Sequence, residues 1–191
     1  GMSREDTEMC ICRHATSKIK DASDLAYIIT LGFRGEALAA ISSVSKIDLL
    51  TRAQGAENGV RLHLEAGQVL SEEPAGCPYG TTILVRELFY NTPARLKFMK
   101  QDRAEATAIA GLAAHIALSH PDISFRLIKD GREELHTPGD GKPLSAVYAA
   151  LGRDFALALV EVHGRDGQLA VDGFVTKPLA GRGTRGMQTF F

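Results

Sequence analysis

At Val44 the spacing of apolar residues changes from helical to alternating, and this change most narrows what the chain can fold into. Residues 47–51, 60–64, 68–71 and 82–86 look like the strands of this region, which Val60-Arg61-Leu62-His63-Leu64 shows most plainly. Successive side chains on a strand point to opposite faces, so such runs read as half-buried strands of an antiparallel sheet. Gly55, Gly59, Gly67 and Gly80 punctuate them as turns or loop ends. Helical patterns flank this region, so the fold class is α+β.

Before the sheet, residues 2–20 read as a helix, with Ser3 as its cap and Asp6 at the capping-box position. Residues 22–31 read as a second helix, capped by Asp21 or Ser23 and ended by Gly32. A third is expected just after Gly35, where Leu38 and Ile41 lie three apart. After the sheet, residues 104–119 carry Ile109, Leu112, Ala113 and Ile116 at helical spacing, and Pro121 stops them. Residues 123–129 and 133–136 predict a hairpin around Asp130-Gly131. Residues 137–142 are the expected linker. A helix over 144–151, strands over 157–163 and 168–176, and a loop rich in Gly and Arg complete the pattern. From Gln188 an apolar strand runs to Phe190-Phe191 without a turn, so the chain reads as cut there.

Composition excludes several classes. No run of 18 apolar residues exists for a transmembrane helix, and the first residues lack the basic-then-apolar pattern of a signal peptide. Three cysteines make a poor disulfide framework, which points to a reducing, intracellular setting. Lys plus Arg number 22 against 23 Asp plus Glu, a net charge of −1, so any nucleic-acid signal must be local.

The candidate chemistry lies in two strings, 13–18 and 32–38. Gly32-Phe33-Arg34-Gly35 puts two glycines three apart directly before a helix starting with Glu36. Glycine lets backbone approach a ligand closely, and the first amides of a helix are unpaired, so the pair could cradle an anion. Arg34 would add charge, and Thr16, Ser17 and Lys18 would add donors. The same residues also suit an ordinary helix end, tight turn and helix start. No Walker A string occurs. Gly181-Arg182-Gly183-Thr184-Arg185-Gly186 matches a dinucleotide fingerprint literally, but a strand-like stretch follows it instead of a helix. Cys10, Cys12 and His14 resemble a metal trio, yet on a helix Cys12 points away from the other two, so helix packing is the simpler reading and no metal site is assigned. Arg95, Lys97, Lys100 and Arg103 surround Phe98 and Met99. If helical, Lys97 and Lys100 share a side that could meet DNA phosphates; a solvated helix start is the alternative. Asp24, Glu36 and Glu87 receive no general-base role.

Together, Arg13-His14-Ala15-Thr16-Ser17-Lys18-Ile19, Gly32-Phe33-Arg34-Gly35-Glu36-Ala37-Leu38, Gly80-Thr81-Thr82 and Leu88-Phe89-Tyr90-Asn91-Thr92-Pro93-Ala94-Arg95-Leu96-Lys97-Phe98 resemble the MutL family of DNA mismatch-repair proteins, in its order and approximate spacing. The resemblance implies a partial ATPase α/β sandwich of the gyrase–chaperone–histidine-kinase–MutL (GHKL) type over residues 1–138. A truncated α/β domain like domain 2 of ribosomal protein S5 would follow over 143–191. It implies ATP and Mg2+ as cofactors, with Ala15, Thr16, Ser17 and Lys18 in a mobile lid. Gly32, Phe33, Arg34, Gly35 and Glu36 would hold the phosphates, and Thr81 would reach the adenine end. Implied partners are DNA, contacted by Arg95, Lys97 and Lys100, a MutS-like mismatch-recognition protein, a downstream endonuclease or helicase, and a second copy of the full-length protein. The implied setting is the bacterial cytoplasm at the nucleoid, with no membrane association.

The chain also departs from that family. The glutamate that activates water and the asparagine that holds Mg2+ are missing, and the Asp-x-Gly-x-Gly string survives at most as Gly1. The piece is therefore expected to lack catalytic residues and not to turn over by itself. A non-enzymatic DNA-binding module using residues 95–100 and the S5-like part is the alternative function.

Overall fold

The computed structural model describes residues 1–19, 21–28, 30–181, 183 and 187–191. The chain divides into two compact units, Gly1–Met99 and Lys100–Phe191.

In the first unit a four-stranded sheet has the order β3-β2-β1-β4. Its strands are β1 (Lys46–Arg52), β2 (Gly59–Glu65), β3 (Gln68–Ala75) and β4 (Gly80–Arg86). All neighbours are antiparallel, with Leu49 opposite both Leu62 and Ile83. The four expected strands are therefore present, β3 running four residues further than the expected 68–71. Its extension carries Pro74, tolerated because β3 is an edge strand. Ile47 and Leu49 of β1 and Leu62 and Leu64 of β2 are fully buried, and Met2, Cys10, Ile11 and Leu38 pack against them. The helices thus cover one face of the sheet. On the opposite face, Asp48 meets His63 Nδ1 at 2.9 Å and is also bound by Arg86.

That second cluster gives a testable acid response. The hydrogen bond from His63, then the Arg86 guanidinium, hold the Asp48 carboxyl below the usual aspartate range. The folded chain therefore binds this proton more weakly than the unfolded chain does. Its stabilisation is complete above about pH 4 and is lost as pH falls through the lowered value. Asp48→Asn should flatten the decline of the urea midpoint between pH 5 and pH 3, roughly the range over which carboxylates titrate; an unchanged decline would remove Asp48 from the acid response.

The helix expected over 2–20 is far shorter. Helix α1 spans Arg4–Met9, with Ser3 Oγ accepting from the Asp6 amide at 3.1 Å. It stops at Cys10, and His14 adopts a left-handed φ of 63°, which no right-handed helix continues through. The metal trio is correspondingly not assembled, and among the described residues no group of His, Cys, Asp and Glu is arranged to hold an ion. The expected helix over 22–31 is a 3-10 turn at Ala22–Tyr27, and Ile29 and Lys20 lie outside the described residues. Helix α2 (Ala37–Ser42) follows Gly35 as expected. Helix α3 (Pro93–Leu96) is a single turn.

In the second unit, α4 (Asp102–Ser119) is followed by β5 (Arg126–Lys129) and β6 (Arg132–His136). Their hairpin turns through Asp130 and Gly131, both at positive φ, as an Asp-Gly pair favours. Strand β5 starts later than expected because residues 123–125 bond to Thr137 instead. The amide of Phe125 donates to Thr137 Oγ1 at 2.9 Å, and Ser124 Oγ donates to the Thr137 carbonyl at 2.7 Å. Thr137, at the start of the expected linker, is buried. Helix α5 (Pro143–Leu151) ends at Gly152, with φ 87°. Residues 153–157 form helix α6 (Arg153–Leu157), where sequence had already begun a strand at 157; β7 (Leu159–Asp166) and β8 (Leu169–Thr176) follow as a hairpin. The strand expected from Gln188 does not form among the described residues.

Candidate functional site

Strings 13–18 and 32–38 meet in space. Gly35 has φ +63°, and a side-chain carbon there would sit 2.1 Å from the Ala15 carbonyl oxygen. The Gly35 backbone therefore lies directly against the segment that continues into Thr16, Ser17 and Lys18, an approach only glycine allows. His14 Nδ1 lies 3.3 Å from Glu36 Oε1 across the same junction. Gly32 differs: nothing lies within 4 Å of its missing side chain. Its carbonyl accepts from Thr30 Oγ1 at 2.9 Å.

The electrostatics suit an anion. Among the described residues, none of the peptide nitrogens of residues 32–36 donates a hydrogen bond to protein. Unpaired amides seek an acceptor, and an oxyanion supplies one. Arg34 is exposed, its guanidinium 5.6 Å from the Phe33 ring centroid, and no described ion pair uses it. Lys18 is exposed, and its amide donates to Thr16 Oγ1 at 3.1 Å, a local turn that leaves the ammonium unengaged.

Thr81 stands apart from this loop in sequence, and its hydroxyl shares a hydrogen bond of 2.9 Å with Thr51 Oγ1. Thr51 is fully buried and accepts from the Met2 amide at 2.8 Å. The Gly1 backbone presses on Arg52 and Ala53. Thr51 was not singled out from sequence, although the alternation carried the signal. It sits in phase with Ile47 and Leu49 on the buried face, where a hydroxyl needs a polar reason.

Arg95, Lys97 and Lys100 are exposed. They do not share a helix face: α3 ends at Leu96, Lys97 is its C-cap, and Lys100 opens the second unit. None of the three forms an ion pair among the described residues. The residues of the literal dinucleotide fingerprint, save Gly181 and Gly183, lie outside the described residues. A cavity of about 280 Å³ in the second unit is lined by His163, Gly164, Arg165, Ala170 and Asp172 and includes no residue of the candidate loops.

Comparison with known proteins adds the following. No protein-family model matches the chain. All 191 residues align at 41% identity with the DNA mismatch repair protein MutL of Agathobacter rectalis and at 44% with that of Symbiobacterium thermophilum. The chain spans 30% of the length of each. Among solved structures, the Aquifex aeolicus MutL ATPase domain complexed with ADP is 30% identical with a TM-score of 0.62, covering 76% of this chain and 56% of that one. The N-terminal domain of a DNA repair protein reaches a TM-score of 0.71 over 93% of this chain and 56% of its own, at 23% identity, and speaks for the fold alone. The mixed α/β architecture is that of these N-terminal domains, as the sequence led us to expect.

Proposed function

We propose, from the premise that this chain belongs to the MutL family of DNA mismatch repair proteins, that it forms the phosphate side of an ATP-driven switch. The observation that carries this reading is the packing of Gly35 against Ala15, which brings the Thr16–Ser17–Lys18 donors beside a loop of unpaired amides. In this reading the amides of residues 32–36 receive the terminal phosphates, Arg34 and Lys18 balance their charge, and Thr81 with Thr51 lies at the adenine end. Closing the 15–18 segment over the nucleotide draws its energy from those contacts, as order–disorder switches do. The ADP named for the Aquifex aeolicus relative supports a nucleotide ligand.

The wider reading follows the family. ATP is hydrolysed slowly in the full-length protein, and nucleotide binding orders the lid and brings two N-terminal regions together. The closed form engages DNA, a MutS-like protein and a downstream endonuclease or helicase, in the bacterial cytoplasm. The Arg95, Lys97 and Lys100 side chains supply phosphate contacts. The ATPase part is read as 1–138 and the S5-like part as 143–191. This chain offers no described trio of ion ligands, so no step is assigned to Mg2+ on it. The piece by itself is not expected to turn ATP over.

The test is nucleotide titration of the chain extended to the span of its relatives. Arg34→Glu puts a carboxylate where phosphate charge is to be bound, and affinity for ATP should fall at least about tenfold, equivalent to roughly 1.4 kcal/mol. Unchanged affinity would remove the loop from the nucleotide site.

A further inference from the structure

The segment joining β4 to α3 is built unlike an ordinary connection. Two non-glycine residues in it, Glu87 and Phe89, hold left-handed φ values of 51° and 66°. Each costs about 1 kcal/mol or more and persists only where surroundings enforce it. The enforcing contacts reach the exit of α2 and the start of β1. The Phe89 amide donates to the Val44 carbonyl at 2.7 Å. Asn91 Nδ2 donates to the carbonyl of Ser43, the C-cap of α2, at 2.9 Å. Glu87 Oε2 lies 3.0 Å from Lys46 Nζ, which also stands 5.1 Å above the Tyr90 ring.

The same segment holds the one buried side-chain polar atom without a hydrogen-bond partner among the described residues, Thr92 Oγ1. Thr92 is the N-cap of α3, and its hydroxyl makes no cap bond. A threonine at this position ordinarily accepts from an amide of the first turn, and leaving a buried hydroxyl unpaired costs about 1–3 kcal/mol. An enforced strain next to an unmade bond is what one arrangement of a two-arrangement loop looks like.

The positions at its ends give that loop a use. Helix α2 begins immediately after residues 32–36 and is six residues long, about 9 Å at 1.5 Å per residue. A shift of the loop on binding a polyanion therefore arrives at Ser43 and Val44 through one short rigid element. On the other side, α3 carries Arg95 and ends at Lys97. We propose that residues 87–92 transmit occupancy of the 32–36 loop to the basic residues Arg95 and Lys97, with Thr92 as the positioning residue whose hydroxyl caps α3 only in the nucleotide-bound arrangement. This rests on the nucleotide reading above.

The experiment uses the full-length protein carrying this chain, a non-hydrolysable ATP analogue and a short fluorescein-labelled DNA duplex. Duplex affinity is measured by anisotropy with and without the analogue, and analogue affinity is measured separately. The wild type should bind the duplex at least about fivefold tighter with the analogue, within the range usual for coupled sites. Thr92→Val keeps the shape and removes the orphaned hydroxyl, so the resting protein should melt no lower than the wild type; it should bind the analogue more weakly, because the cap gained in the bound arrangement is lost. Its coupling ratio should drop to about one. Asn91→Ala, cutting the link to Ser43, should lower the ratio in the same way. An undiminished ratio in Thr92→Val, or a wild type that binds both ligands without coupling, overturns the proposal and leaves the nucleotide site standing. A wild type that does not bind the analogue overturns both.

Discussion

Leu49→Ala should cost the first unit about 2–5 kcal/mol, the usual penalty for emptying a fully buried leucine site. Leu49 is 0% exposed on the central strand β1, between Leu62 on β2 and Ile83 on β4. The sheet's fully buried cluster has four large aliphatic side chains, so one cavity removes a substantial share of what holds it. Small domains have only about 5–15 kcal/mol in total. The control is Ile83→Ala. Ile83 occupies the same register and faces the same side, but it is 44% exposed. Its loss should be under half that of Leu49, because both the transfer and the cavity contributions scale with burial. Urea denaturation followed by far-ultraviolet circular dichroism reads both, as a lower midpoint at unchanged slope. Equal losses would mean that β4 is covered in solution.

The contrast between Leu49 and Ile83 also marks the limit of what alternation can tell. Alternation, plainest in Val60-Arg61-Leu62-His63-Leu64, and the punctuating glycines located all four strands, because side-chain direction on a strand is set by backbone geometry alone. It also put Ile83 and Val85 in the same phase as the core, although both are more than 40% exposed. A period of two identifies a face and says nothing about whether a neighbour lies over it. The helices were harder to bound. Helix α1 ends at Met9, where the apolar pattern continues into Ile11 and Cys12, because His14 takes a left-handed φ and the chain turns toward Gly35. That turn is made by a tertiary contact between residues twenty apart, which no local window reports. Likewise, Thr137 reads as the start of a linker from its Pro and Gly neighbours, yet its hydroxyl and backbone bind Phe125 and Ser124. The two strings of the candidate site were legible as glycine and hydroxyl chemistry; their meeting was not.

Gly35→Ala should therefore separate the two readings of the Gly32–Gly35 turn more sharply than any charge change. Sequence treats the glycines alike, as a helix stop and a helix start or as paired openings for a ligand. In the folded chain they differ. A methyl at residue 35 meets a backbone oxygen at 2.1 Å and has a φ that L-residues adopt at a cost of about 1–2 kcal/mol. Backbone cannot rotate aside as a side chain does, so residues 15–18 must move away from residues 32–36. A methyl at residue 32 enters open space. If the junction binds phosphates, Gly35→Ala should lower affinity for ATP at least about tenfold in the extended protein, while Gly32→Ala stays within about twofold. The sheet core is remote in sequence from both changes, so far-ultraviolet circular dichroism should stay as in the wild type. Were the turn merely a helix boundary, the folded variants would bind nucleotide alike, because neither methyl would touch a ligand. Wild-type affinity in a folded Gly35→Ala protein would thus detach the contact with Ala15 from nucleotide binding, and with it the role assigned to Thr16, Ser17 and Lys18.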